Sequence, residues 1–149
     1  AANLSRKLAA SDYDKMEPSF LKLIEKGKDY TAFDLMDAES KRAENGVYMK
    51  RIFSEADVLI GPTLPVLAFN SNNNVPNGFS EEELFSWLPF TYPFNLTKNP
   101  ACNVNGNFSK SGLPIGIQIV SDIYKDKKCF ELAFFIEQVT GLNDKWPQL

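Results

Sequence analysis

The sequence predicts an α/β fold, and three observations carry that reading. Short apolar runs at Val58–Ile60, Ala101–Val104 and Ile115–Val120 have the length and the bounding turn residues of buried strands. Longer segments before and after them, chiefly Thr31–Glu55 and Asp126–Thr140, carry helical periodicity with start and stop signals. No internal repeat interrupts this alternation, which suits strands of a mixed or parallel sheet with packed helices.

The elements follow in chain order. Ala1–Lys15 is a mixed opening with some helical character. Glu17-Pro18 starts a short helix whose apolar face is Phe20, Leu21 and Ile24, and Gly27 ends it. Thr31 and Asp34 form a capping box for a helix reaching Glu55. Its apolar residues fall on two stripes, Met36–Ala43–Val47 and Leu35–Ala38–Met49–Phe53, so contacts on two sides are expected. Val58–Ile60 is a buried strand stopped by Gly61-Pro62. Asn70–Gly78, NSNNNVPNG, is a polar surface loop. Ser80 with Glu83 repeats the capping-box pattern for a helix ending before Pro89. Phe94–Thr97 holds one helical turn, broken at Asn99-Pro100. Asn105–Gly112 is a turn region, and Ile115, Ile117 and Ile119 share one face of the following strand. Asp126 caps the last helix and Gly141 stops it; apolar nearly all round, that helix should be deeply packed.

Composition narrows the function classes. The 149 residues are 44 % hydrophobic and 13 % aromatic, enough for a packed core. A net charge of −3 with scattered Lys and Arg argues against nucleic acid or an anionic membrane as partner. The lysines at 125, 127 and 128 suit a solvated helix start. Cys102 and Cys129 sit in apolar runs and read as buried free thiols. Histidine is absent, which removes Ser–His–Asp, Cys–His and His-ligated metal chemistry together. No metal and no cofactor is expected. No apolar run approaches the roughly 20 residues of a membrane span, and no secretory signal pattern opens the chain. A cytoplasmic protein is favoured, although Ala1 in place of Met fits an excised or truncated start. Asn3-Leu4-Ser5, Asn95-Leu96-Thr97 and Asn107-Phe108-Ser109 match the glycosylation triplet, as chance provides in an Asn-rich chain.

Two blocks carry the functional signal: ADVLIGPTLPV at Ala56–Val66, and TYPFNLTKNPACNVNGNFSKSGLPIGIQIV at Thr91–Val120. In order and wording they resemble the C-terminal part of amidase-signature enzymes. That family hydrolyses carboxamides, and one branch holds the amide-releasing component of the glutamyl-tRNA amidotransferase. The resemblance runs from near Ala10 to about Val139. It implies a large mixed sheet with helices on both faces, to which residues 1–149 contribute a few strands. It further implies that one sheet edge and one helix face stand exposed, or are covered by a second copy of the chain.

The resemblance locates the family's centre, a serine nucleophile, a cis-peptide serine and a lysine base, upstream of the matched region. This chain has no comparable Gly/Ser-rich run. Ser109-Lys110-Ser111 occupies a turn, where a lysine is not desolvated enough to act as a base. No catalytic residue is therefore assigned here. What the resemblance implies instead is pocket wall. Thr63, in the Pro62–Pro65 block, follows the carboxyl end of a strand, where open α/β sheets place ligands; the block equally suits a rigid turn. Thr91 and Asn95 match positions lining the acyl side of the family's substrate channel; Asn95 also suits a brace of its own turn.

Three departures from the family pattern stand out. Lys98 replaces a glycine, Asn103-Val104-Asn105 replaces Ser-Val-Pro, and Trp87–Phe90 lacks the acid of the glutamine-specific branch. The implied reading is the C-terminal portion of an amidase acting on apolar or aryl amides. Its partners are the N-terminal catalytic portion of the same protein and a small-molecule amide. Two alternatives stay open: a non-catalytic interaction module derived from an amidase, and part of a tRNA-dependent amidotransferase.

Overall fold

The computed structural model describes residues 6–80 and 85–142. The chain divides into two compact units, Ala1–Lys41 and Arg42–Leu149, with the boundary inside a long helix.

The first unit holds α1 (Ala10–Tyr13), α2 (Pro18–Lys26) and the start of α3 (Ala32–Glu55). Glu17 caps α2, its carboxylate accepting from the Ser19 and Phe20 backbone N–H groups at 2.9 and 3.2 Å. Pro18 occupies the first turn, where its missing N–H has no intrahelical partner to lose. Ile24 is the buried anchor of this helix, at 1 % exposure. The Thr31–Asp34 capping box forms reciprocally. Thr31 N–H donates to Asp34 Oδ2 at 2.8 Å, and Asp34 N–H donates to Thr31 Oγ1 at 3.2 Å. The Thr31 hydroxyl and then its N–H hold the Asp34 carboxyl below its ordinary range. The predicted stripes on α3 are present as surface: Leu35, Met36 and Val47 are exposed, and α3 buries no residue.

The second unit is built on a three-stranded sheet in the order β1-β3-β2, where β1 is Val58–Pro62, β2 Ala101–Phe108 and β3 Pro114–Ser121. Both pairings are antiparallel, where parallel or mixed neighbours were expected. The reason lies in the connections: β2 turns straight into β3 through a short hairpin, and only antiparallel strands can join that way. The expected turn at Asn105–Gly112 starts later than its composition suggests. Asn105–Phe108 stays in the ladder, with a register shift between Asn105 and Asn107. The hairpin is closed by Ser109 N–H donating to Leu113 O at 2.8 Å. Ser109 and Ser111 hydroxyls pair at 2.8 Å, and Leu113 N–H donates to Ser109 Oγ at 3.1 Å, so these serines lock the turn.

Helix α5 (Asp126–Thr140) covers one face of the sheet. Val104, Ile119 and Cys129 form its core, with Cys102, Ile117, Leu132 and Ile136 packed around them. Lys125 is the N-cap, and Asp126 stands in the first turn rather than at the cap. The expectation of deep packing for α5 is corrected. Cys129 is buried, while Phe130, Phe134, Phe135 and Val139 are 61–68 % exposed. One helix on one small sheet can bury only the stripe that faces it. The thiols are free; Cys102 is partly buried and Cys129 fully. Burial, and secondarily the neighbouring Cys129, pushes the Cys102 thiol up. On the other face lies α4 (Tyr92–Thr97), which begins ahead of the single turn predicted at Phe94–Thr97. The Asn70–Gly78 loop is polar and turn-rich as expected, but buries Val75 at 7 % exposure. Of the capping box expected at Ser80 and Glu83, Glu83 lies outside the described residues. Among the described residues no helix is long and apolar enough to cross a membrane.

Lys98 ends α4 in the left-handed region, φ 60° and ψ 28°, with its N–H donating to Phe94 O. Gly141 ends α5 in the same conformation, φ 60° and ψ 27°. A Cβ makes that conformation costly, so the turn usually served by glycine is kept here at a strain of about 1 kcal/mol. Lys98→Gly should therefore stabilise the chain by about 0.5–1 kcal/mol, after allowing for glycine's freer unfolded state. A urea midpoint that rises with an unchanged slope is the expected reading; a midpoint that falls would contradict it.

Two ion pairs join elements of this unit. Lys128 pairs with Asp57, and Lys50 Nζ lies 2.6 Å from Asp122 Oδ2. Each lysine's hydrogen bond holds its aspartate below the ordinary value near 3.8. A depressed folded pKa contributes stability that is complete above about pH 4 and lost as pH falls through the lower folded values. Stability should thus decline below about pH 4, by a modest amount because both pairs are solvated. Replacing both aspartates by asparagine should flatten that part of the profile, and an unchanged acid limb would contradict the assignment.

Candidate functional site

The site lies on the sheet face opposite α5. Side chains alternate along each strand, so Gln118 and Val120 of β3 face away from the Ile117–Ile119 stripe. Leu59 pairs with Val120, and Asn103 with Gln118, which brings these four residues to one face. Pro93 and Phe94 of α4 stand over it and leave a cleft of about 320 Å³, walled mostly by apolar side chains including Leu59 and Val120. Gln118 is its buried polar member, at 8 % exposure, and its Nε2 donates to Phe90 O at 2.9 Å. Burial raises the nearby Tyr92 phenol above its ordinary value.

Thr63 sits at the rim of this face. Its N–H donates to Gly116 O at 3.1 Å, continuing the β1–β3 pairing one residue past the strand. Its hydroxyl crosses the central strand and donates to Asn103 Oδ1 on β2. Gly116 makes that crossing possible. A Cβ there would lie 2.6 Å from Asn103 Oδ1, 2.7 Å from Thr63 Oγ1 and 2.9 Å from Asn103 Nδ2. Thr63, Asn103 and Gly116 also line a second cleft of about 180 Å³ under Leu64–Ala68.

The residues singled out from sequence do not converge. Thr63 is on the polar rim just described. Thr91 precedes α4, and its hydroxyl donates to Leu88 O at 3.2 Å, within its own turn. Asn95 is exposed and borders a third cleft, of about 470 Å³, with Lys98, Tyr124 and Asp126. Phe94 is shared by the first and third clefts, so Asn95 belongs to the far side of α4. Sequence reasoning did not single out Gln118 or Asn103 as site residues. The available signal was a polar side chain in each of two apolar strands. A Gln inside Ile115–Val120 needs a reason to be there, because a buried amide requires partners.

Comparison with known proteins agrees with this architecture. The family model described as Amidase matches residues 4–130. An acylamidase of Rhodococcus erythropolis is 28 % identical over 151 residues, an alignment covering 93 % of this chain and 31 % of the acylamidase. The A component of glutamyl-tRNA(Gln) amidotransferase from Alkaliphilus metalliredigens is 30 % identical over 119 residues, covering 80 % of this chain and 23 % of that protein. Among solved structures, an amidase superposes with a TM-score of 0.80 at 22 % identity, over 93 % of this chain and 32 % of its own. A bacterial aryl acylamidase of the amidase-signature family gives 0.74 at 22 % identity, over 89 % and 28 %. These superpositions establish the shared fold, and the chain spans under a third of the length of each of these proteins. By a family match over most of its length, this chain belongs to the amidase-signature family.

Proposed function

We propose that this chain is the C-terminal portion of an amidase and forms one wall of its substrate pocket. The reaction is hydrolysis of a non-peptide carboxamide. The Ser–Ser–Lys centre and most of the sheet come from an N-terminal portion of the same protein. The observation that carries this reading is the cleft of about 320 Å³ between α4 and the sheet, apolar except for Gln118. An apolar cleft with a few placed polar groups suits an apolar or aryl amide. The likeness to an aryl acylamidase structure points the same way. So does the absence of an acid in Trp87–Phe90, which counts against the glutamine-specific branch. The aromatic flank of α5, with Phe130, Phe134 and Phe135 exposed, is the kind of surface left when a larger core is divided.

In this arrangement the chain binds and orients rather than reacts. Thr63, Thr91 and Asn95 remain its proposed substrate-contacting residues. Thr63 reaches the sheet face, Thr91 braces the turn that leads into α4 through Leu88 O, and Asn95 borders the cleft on the far side of α4. The test has two parts. The intact mass of the native gene product should be about three times the 16.8 kDa of this chain, as the 31 % coverage of the acylamidase suggests. That longer product should hydrolyse 4-nitroacetanilide, while the purified 149-residue chain should not. Hydrolysis by the chain alone, or a native mass of 16.8 kDa, would sink the proposal.

A further inference from the structure

Cys102 and Cys129 are 27 residues apart in sequence and meet in space. Cys102 is on β2 and Cys129 near the start of α5, and both belong to the cluster around Val104 and Ile119. Cys102 Sγ donates to Cys129 O at 3.4 Å. Cys129 Sγ lies 3.5 Å from Pro100 O, just ahead of β2, and 3.2 Å from Ser121 Oγ. Each sulfur thus rests on backbone that carries or adjoins the other cysteine. Ser121 Oγ donates in turn to Lys125 O at 2.9 Å, which holds the start of α5 against the end of β3. Cys129 is 2 % exposed and Cys102 only partly buried, so solvent reaches one sulfur and the other is reached through it. An accessible thiol backed by a buried one is the arrangement of an attacking and a resolving cysteine. Neither thiol has a part in the amide chemistry proposed above.

We infer that Cys102 and Cys129 form a reversible disulfide that fastens α5 over the β2–β3 hairpin. The oxidant is a low-molecular-weight disulfide such as glutathione disulfide. The Cys102 thiolate, its proton lost to solvent, attacks one sulfur of the oxidant and releases one glutathione thiolate. The Cys129 thiolate then attacks Cys102 Sγ in the mixed disulfide and releases the second. Both released thiolates take up protons, so two protein thiols become one disulfide and one oxidant disulfide becomes two thiols. Burial, and then Cys129, pushes the Cys102 thiol up, so the first attack is slow at neutral pH and the pair holds a redox state rather than signalling it quickly. The closed loop contains the whole β2–β3 hairpin. Helix α5 is the element such a bond steadies most. It faces the sheet through Cys129, Leu132, Ala133 and Ile136, while its Phe130 and Phe134 are exposed. Cross-linking it to β2 removes freedom from the unfolded chain and leaves the folded packing in place.

The test equilibrates the 149-residue chain in glutathione buffers poised from reducing to oxidising. The oxidised chain should lose the mass of two hydrogens and yield, on digestion without reductant, one peptide pair joining Cys102 to Cys129. It should melt roughly 5–10 °C above the reduced chain and return to the lower midpoint with dithiothreitol. The amides of α5 should exchange more slowly in the oxidised form. Cys102→Ser should abolish both the linked pair and the redox dependence of melting, and should melt near the reduced wild type. The wild-type readings decide alone if that variant does not fold. A chain that stays reduced in the most oxidising buffer would overturn the inference. So would glutathione left on Cys102, a disulfide between two chains, or a linked pair that melts no higher. Hydrolysis of an amide by the longer native product is a separate measurement, so the two proposals fail independently.

Discussion

Ile119→Ala should destabilise the chain by about 3–4 kcal/mol, close to the upper range for truncating a buried aliphatic residue. Ile119 has no exposed surface. It lies on the central strand, opposite Ile60 on β1 and Cys102 on β2, and packs into the cluster with Val104 and Cys129 beneath α5. A central strand held on both sides by ladder hydrogen bonds cannot move to fill the space left by the lost methyl and methylene groups. The cavity term therefore adds in full to the transfer term. The core has little in reserve, since among the described residues the buried hydrophobic side chains of the second unit are Val75, Val104, Ile119, Val120 and Cys129. Against a typical total of about 5–15 kcal/mol, the loss leaves a marginal protein. Ile60→Ala is the control. Its side chain is 58 % exposed on an edge strand, and its loss should cost under about 1 kcal/mol. Urea unfolding of both variants measures the difference, and equal losses would mean that the core is not where β3 meets α5.

What the sequence disclosed about this molecule follows local chemistry. Glu17-Pro18, Thr31 with Asp34, and Gly141 are signals whose physics is complete within a few residues, and the helices begin and end at them. The three strands were legible because each is a short apolar run between turn residues. Their antiparallel order was not, since pairing depends on which strands meet in space. Asn105–Phe108 reads as turn because Asn and Gly dominate it, yet neighbouring β3 supplies the pairing that composition could not promise. The packing of α5 failed for the opposite reason. Apolar residues all round a helix describe what it could bury, and the sheet here covers only the Cys129 side. The candidate site divides similarly. Thr63 was reachable from its place after a strand end. Asn103 and Gln118 acquire meaning only through cross-strand register and through the partners that fix each amide. Lys98 lies between these cases: it was legible as a departure from the family's glycine, and only the structure shows that lysine held in a left-handed turn.

Asn99→Ala should cost about 2 kcal/mol and loosen the hinge between α4 and β2. Asn99 is 8 % exposed, and its Nδ2 donates to Ser121 O at 2.8 Å while its Oδ1 accepts from Thr97 Oγ1 at 2.6 Å. Thr97 and Ser121 are themselves buried, at 7 % and 0 %. Removing the side chain strips a donor from a buried carbonyl, a loss of about 1–3 kcal/mol. Asn99→Asp should be worse, because it keeps the acceptor for Thr97 but sets a carboxylate against the Ser121 carbonyl in a dry place. The consequence reaches the cleft through geometry. Asn99 is two residues past α4, and its backbone N–H donates to Phe94 O at 3.1 Å. Phe94 in turn walls the cleft above Gln118. Hydrogen exchange distinguishes a local role from a global one. In Asn99→Ala the amides of Thr97–Asn99 should exchange faster by more than the overall loss of stability requires, while those of Val104 and Ile119 follow global unfolding. If all these amides change together, Asn99 is ordinary core and does not anchor α4 to the sheet.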